Sequence, residues 1–365
     1  MSDSQPVASY DAILVVSFGG PEAMDEVMPF LENVLSGRNV PRERMLAVSH
    51  HYELFGGVSP INGQNRELIA ALKNELDASG VKLPIYWGNR NWHPLLADTL
   101  RQMKADGIGR ALAFVTSAYS SYSGCRQYRE DIERARESVG EGAPQVDKLR
   151  VFYNHPGFIA PNVENLEAAL VEVPEERREQ AHVAFTAHSI PLSMATNCDY
   201  QAQLLETCRL VAEGAGHRLW QLVFQSRSGS PMQPWLEPDI CDHLRELKRG
   251  GAADVVIAPV GFISDHMEVL YDLDTEARQV AQEIGLNLIR AATVGTHPTF
   301  IKMIRELVVE RLTNAPVRPA LGTRGAKEDI CPAECCLMGA GRPAAVSTLN
   351  AERPAAATHE RPAAN

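Results

Sequence analysis

Chemistry-bearing side chains are most concentrated in residues 259–276, PVGFISDHMEVLYDLDTE, where a buried apolar run gives way to a helical pattern. Glu268, Asp272 and Glu276 recur at i, i+4 and i+8, so a helix stacks three carboxylates on one face. Like charges at that spacing repel one another unless protons or cations are present. A row of hard oxygen ligands aimed at a cleft suits the passage of a divalent cation. A solvated acidic helix face has the same spacing; what favours the first reading is that the row starts directly after a buried strand. His188, in TAHSIP, ends another such run. An imidazole there serves as a borderline metal ligand, as a base near neutral pH, or as an ordinary structural donor.

A third segment, VFQSRSGSPMQPWLEP (223–238), is rich in Gly and Pro and carries Arg227, Met232 and Trp235. It suits a flat aromatic ligand through its apolar side chains and an anion through Arg227, or it is a plain loop. The glycines of SFGGPE invite a phosphate-loop reading. Neither G-x-G-x-x-G nor G-x-x-x-x-G-K-[ST] is present, however, so nucleotide binding has no support.

Eight short apolar runs must position these segments, near 12–18, 83–88, 111–117, 149–153, 182–187, 219–225, 254–259 and 287–291. Helical periods separate them, so the fold class expected is α/β: two similar Rossmann-like domains, each with a doubly wound, parallel four-stranded sheet. The residues after the first three strands of each half match in character, SFGGPE with TAHSIP, GNRNWHP with QSRSGSPMQPW, and TSAYSSYSGC with GFISDHMEV. In such sheets ligands sit outside the carboxyl ends of the strands, which places the site in the cleft between the halves. The expected division is 1–160, 161–315, a cysteine-bearing segment 316–340 docking on the first domain, and a disordered Ala/Pro-rich tail 341–365.

The chain has 365 residues, 45% apolar and 22% charged, the composition of a soluble globular protein. With a net charge of −11 and no long Lys/Arg block, nucleic acid is excluded as an expected partner. No transmembrane segment or export signal is read, so the expected location is cytoplasmic and the seven cysteines are expected to be reduced.

In this order, SFGGPE, HYELFGGVSPIN, TAHSIP, QSRSGSPMQPWLEP and PVGFISDHMEVLYDLD resemble the ferrochelatases, over about residues 10 to 312. GNRNW and SAYSSYSGC are closest to the actinobacterial branch, which is associated with coproporphyrin III rather than protoporphyrin IX. The resemblance implies a lyase of haem biosynthesis with a porphyrin and ferrous iron, Fe²⁺, as substrates. The chain is expected to be a monomer with transient contacts to neighbouring haem-pathway enzymes. His188 matches the family's active-site histidine, Glu268 its metal-facing glutamate, and Asp272 and Glu276 the acidic row behind it. Ser59, Arg38 and Arg90 match regions that hold propionates. Phe18 stands where the family often places a metal-facing Tyr or Met; phenylalanine cannot ligate, so Tyr122 or Tyr119 is the expected supplier of any ligand on that side.

The resemblance also implies a [2Fe–2S] cluster held by Cys125, Cys331, Cys335 and Cys336, with a structural zinc site or free thiols as the competing readings. Cys198, Cys208 and Cys241 read as bystanders. In the expected mechanism His188 accepts a pyrrole proton, the acidic row guides the metal, and the loops bearing Phe18 and Met232 to Trp235 clamp the macrocycle. Two rivals stay open: a haem- or anion-binding module without turnover, and a cobalt or nickel chelatase.

Overall fold

In the computed structural model, residues 9–36, 40–228 and 232–339 are described. Eight strands form two parallel sheets. The first contains β1 (Ala12–Ser17), β2 (Ile85–Asn89), β3 (Arg110–Val115) and β4 (Gln145–Lys148), in the order β2-β1-β3-β4. The second contains β5 (His182–His188), β6 (Trp220–Gln225), β7 (Asp254–Ala258) and β8 (Asn287–Arg290), in the order β6-β5-β7-β8. The two orders are the same pattern repeated. β1 and β7 are buried at every position, as continuous apolar strands covered by helices on both faces must be. In each sheet the order reverses beside the first strand, which opens a crevice at the carboxyl ends of β1 and β3 and of β5 and β7.

One expected strand is misplaced. The apolar run 149–153 is not in the sheet; the edge strand is the preceding QVDK, paired to β3 from Arg110↔Gln145 to Ala113↔Lys148. Residues 149–153 are apolar because they cross between the halves through a shared core. Leu149, Val151, Phe152 and Tyr153 pack there with Phe114 of the first sheet, Phe185 of the second, and Phe158 and Phe300. Burial alone cannot separate a buried crossing from a buried strand.

The expected boundary near residue 160 is also crossed. The closing helix Pro298–Thr313 packs on helix Ile61–Ala78 of the first half and on helix Pro156–Val171. Arg305 Nε reaches Glu75 at 3.1 Å, and Arg150 grips Glu310 through two bonds of 2.7 and 3.0 Å. The cysteine-bearing segment holds to both halves rather than to the first alone. Arg126 donates to the carbonyls of Ala333 and Cys335, while Asn197 donates to that of Gly339 and Lys327 pairs with Asp199. The expected tail lies outside the described residues. Among those described, no helix is long and apolar enough to cross a membrane.

Candidate active site

β5 delivers His188 as its last residue, and β7 hands the chain to the turn that ends in Glu268. Gly261 sets how closely the two exits approach. Its N–H donates to the Thr186 carbonyl at 2.9 Å, and a Cβ would lie 2.6 Å from the Ala187 Cα, closer than any side chain tolerates. As a result His188 Nε2 stands 3.5 Å from Glu268 Oε1. His188 Nδ1 is 2.5 Å from the Ser189 carbonyl oxygen. A carbonyl can only accept, so Nδ1 carries its proton and Nε2 is the nitrogen turned to Glu268. A second imidazole completes the group: His266 Nε2 lies 3.8 Å from Glu268 Oε2, and its Nδ1 accepts the Glu268 N–H at 3.2 Å.

Burial by itself drives His188 toward neutrality, but the Glu268 carboxylate, with help from the Ser189 carbonyl and Asp272, outweighs it and raises the imidazole to about 9. Burial likewise opposes charge on Glu268, and the two histidines, His188 foremost, bring its carboxyl down to about 2. For His266 burial wins: with the nearby His188 charge it holds the imidazole below its ordinary value, against Glu268 and Asp265. The site therefore holds an imidazolium–carboxylate pair beside a neutral imidazole.

The acidic row is not one α-helix. Met267–Val269 is a single α turn, Leu270–Ala277 a π-helical run, and α geometry resumes at Arg278–Ile284. Hydrogen bonds spanning five residues widen the turn, so i and i+4 side chains no longer stack directly. The carboxylates still interact. Burial, opposed by the Ser226 hydroxyl and reinforced by the charges of Glu268 and Glu276, raises Asp272 to about 7. Burial and Asp239 raise Glu276. Gln225, the last residue of β6 and paired with His188 across the sheet, donates through Nε2 to the Glu268 carbonyl at 2.9 Å and to Asp272 at 3.4 Å. Ser226 follows at φ +63° and donates its hydroxyl to Asp272.

The first half pins this turn in place. Met267 is buried among Val27, Phe30, Leu31 and Tyr52, and the His51 ring stacks on Tyr271 at 3.6 Å. Gln64 donates to the Asp265 carbonyl at 2.9 Å. Phe18 is partly exposed at the end of β1, with the Arg90 guanidinium 5.8 Å from its ring centre.

Several sequence assignments change here. Arg90 is a committed cation: its side chain is 5% exposed, paired with Asp131 and stacked 4.5 Å from the Tyr128 ring, so it is not offered to a propionate. Tyr119 is fully enclosed and its hydroxyl donates to the Val260 carbonyl at 2.8 Å, so it cannot face a metal in the cleft. Tyr122 keeps partial exposure, its hydroxyl donating to Glu130 at 3.1 Å. Ser59 is buried behind SFGGPE, its N–H donating to the Pro21 carbonyl at 2.8 Å. Trp235 does not project outward. It is buried and bridges to Pro191, tying its loop to the His188 strand exit. Met232 is 91% exposed. Arg227 lines a cavity of about 210 Å³ with Phe224, Glu237 and Asp239, and donates to the Gln233 carbonyl at 3.3 Å. Arg38 lies outside the described residues. His266 and Gln225 were missed; the SDH triplet carried a signal for the first, whereas a glutamine ending a strand carries none.

Thiol contacts link Cys125, from the first half, to three cysteines of the carboxyl-terminal segment. Cys125 lies on a second π-helical turn, Tyr122–Arg126, after β3. A hydrogen bond with Cys331, then burial, pushes its thiol well up. Cys331 also bonds Cys335, whose Sγ is 3.3 Å from that of Cys336. The sulfurs stand in thiol–thiol contact, and among the described residues no group of three or more His, Cys, Asp or Glu is placed to hold a metal ion. A soft, four-thiol donor set fits an iron–sulfur cluster in kind.

Comparison with known proteins decides the family, because the sequence pattern of the family Ferrochelatase matches residues 10–312. The chain belongs to the ferrochelatase family. A ferrochelatase of Rhodopirellula baltica is 59% identical over 94% of this chain and 97% of its own length. The coproporphyrin III ferrochelatase of Streptomyces coelicolor is 52% identical over 94% and 98%, and that of Mycolicibacterium smegmatis 49% identical over 86% and 93%. In fold alone, the chain is similar to SirB from Bacillus subtilis solved with Fe³⁺, at TM-score 0.52 and 13% identity over 84% of this chain and 97% of that one. Like its family, the chain is an enzyme of the lyase class, and its paired sheets are the Rossmann-like fold expected.

Proposed function

We propose that this ferrochelatase inserts Fe²⁺ into coproporphyrin III, with His188 and Glu268 as its working pair. The observation that carries the reading is the 3.5 Å approach of His188 Nε2 to Glu268 at the carboxyl ends of β5 and β7. The substrate assignment is supported by relatives of about 50% identity that are coproporphyrin III ferrochelatases.

The reaction replaces two pyrrole N–H bonds by bonds from nitrogen to Fe²⁺ and releases two protons, without electron transfer. While Glu268 is its partner, His188 already holds a proton and cannot accept another. A divalent cation taking the Glu268 carboxylate removes the charge that sustains that proton, and burial then drives the Nε2 proton off to solvent and leaves the imidazole neutral. Nε2, held toward the cleft by the Nδ1 bond to Ser189, becomes the acceptor for a pyrrole proton. Asp272, poised at about 7, is able to take up and release a proton at neutral pH, and so offers the second proton a way out. Phe18 and Met232 supply apolar contact to the macrocycle faces, and Arg227 meets a propionate.

Cys125, Cys331, Cys335 and Cys336 are the residues that would hold a [2Fe–2S] cluster. When bound, it would cross-link the carboxyl-terminal segment to the first half, apart from the insertion chemistry. A cytosolic location belongs to the same proposal, since cysteines that ligate a cluster suit a reducing compartment. Insertion of Fe²⁺ should be assayed in parallel with coproporphyrin III and protoporphyrin IX, for wild type and His188→Ala. Preference for coproporphyrin III and a loss of about 10² to 10⁴-fold in the variant are expected. Equal rates on both porphyrins would refute the substrate, and undiminished turnover in His188→Ala would refute the base.

A further inference from the structure

We infer that Gln225 is the positioning residue that holds the metal-handling turn at its working distance from His188, an inference that rests on the insertion reading above. Gln225 joins the two sides of the site by different atoms. Its backbone carbonyl accepts the Ser189 N–H at 2.8 Å, and its Cα is in register with His188, so the main chain belongs to the histidine side. Its side-chain amide belongs to the acidic side, where Nε2 donates to the Glu268 carbonyl and to the Asp272 carboxylate. The side chain is buried, with the residue 1% exposed, and among the described residues its Oε1 has no hydrogen-bond partner. A buried acceptor left unpaired is unfavourable, and its retention is accounted for if the amide is kept for what its N–H groups hold.

The need for such a tie follows from the turn itself. Glu268 and Asp272 straddle the change from α to π geometry, where ordinary i to i+4 bonds do not fix the spacing of side chains. An external donor bonded to both the Glu268 carbonyl and the Asp272 carboxylate ties the two residues together across that change, in addition to the Ser226 hydroxyl that holds Asp272 alone. His188 is placed independently, by its own strand and the Ser189 carbonyl, so removing the Gln225 amide loosens the Glu268–Asp272 spacing on one side of the site, where the first half still holds Met267, Tyr271 and Asp265, and leaves the other side unchanged.

Gln225→Met tests this, because methionine fills a similar volume and keeps every main-chain bond while deleting the donor. With Zn²⁺ and Fe²⁺ as metals and coproporphyrin III as porphyrin, the metal KM should rise by about tenfold, on the scale of a lost hydrogen bond to a charged group. Porphyrin affinity, read by quenching of its fluorescence, and the thermal midpoint should stay near wild type. Gln225→Glu, which keeps the shape but sets a carboxylate against Asp272, should be worse than Gln225→Met. Unchanged metal KM in Gln225→Met, or parallel losses in metal KM, porphyrin affinity and thermal midpoint, would overturn the inference. Failure of the wild type to insert either metal would instead overturn the insertion reading.

Discussion

Replacing Glu268 by glutamine keeps the side chain's shape and removes its charge, and the structure fixes what His188 should then do. In the native site the imidazole is raised to about 9 from an ordinary 6.5, against the burial that works to lower it. At about 1.4 kcal/mol per pH unit, that rise corresponds to roughly 3 kcal/mol of preference for the charged form. Glu268 keeps 48% of its side-chain surface open, so screening by solvent reduces the coupling to about 1–2 kcal/mol. In Glu268→Gln the His188 titration should fall by about one pH unit, the shift that a coupling of this size supports. Side-chain NMR of labelled histidine follows it directly, with His188→Asn assigning the resonance.

Stability should move with it. A group whose pKa is raised on folding contributes in full below its unfolded value and loses that contribution as pH rises through the folded one. The His188 share is therefore complete below about 6.5 and gone above about 9. Glu268, lowered to about 2, contributes above its ordinary 4.5 and loses its share as pH falls toward 2. The pair's contribution is thus fullest from about 4.5 to 6.5, and denaturant midpoints across pH 6 to 9.5 should decline more in wild type than in Glu268→Gln. If His188 titrates at the same pH in both proteins, Glu268 is not what holds its proton and the electrostatic account of the site fails.

Two further outcomes are expected. Arg150 and Glu310 form a pair with side chains 1% and 4% exposed, so Glu310→Leu, which strands the guanidinium, should cost about 3–5 kcal/mol by chemical denaturation, while Arg150→Met/Glu310→Leu recovers most of it; equal losses in both variants would show that the charges are not coupled. Purified protein should carry the visible absorption of an iron–sulfur cluster, abolished by serine at Cys125, Cys331, Cys335 or Cys336 and kept by serine at Cys198, Cys208 or Cys241; a colourless wild type, or colour that survives Cys125→Ser, would refute the ligand set.

The strands were legible because continuous apolar runs bounded by polar turns have few other uses in a chain of this composition. Their repeated polar exits point to a cleft at the carboxyl ends of the strands. His188 stands out in the sequence because it ends a buried strand, whereas Glu268 lies beyond the end of β7, on the turn that follows it. What the sequence lacked was anything that depends on partners distant along the chain. Arg90 reads as a free cation until Asp131 and Tyr128 close over it, and Tyr119 reads as a possible ligand until its hydroxyl is spent on Val260. The α to π change beneath the acidic row is invisible to periodicity, because tertiary contacts from Met267 and Tyr271 to the first half accompany a turn that local propensity would wind as an α-helix. The run at 149–153 shows the same limit, since apolarity reports burial but not whether a sheet or a crossing does the burying. Sequence by itself determined the buried strands and the order of their polar exits; the packing of one half on the other decided which of those side chains are enclosed and which keep atoms to spare for a substrate.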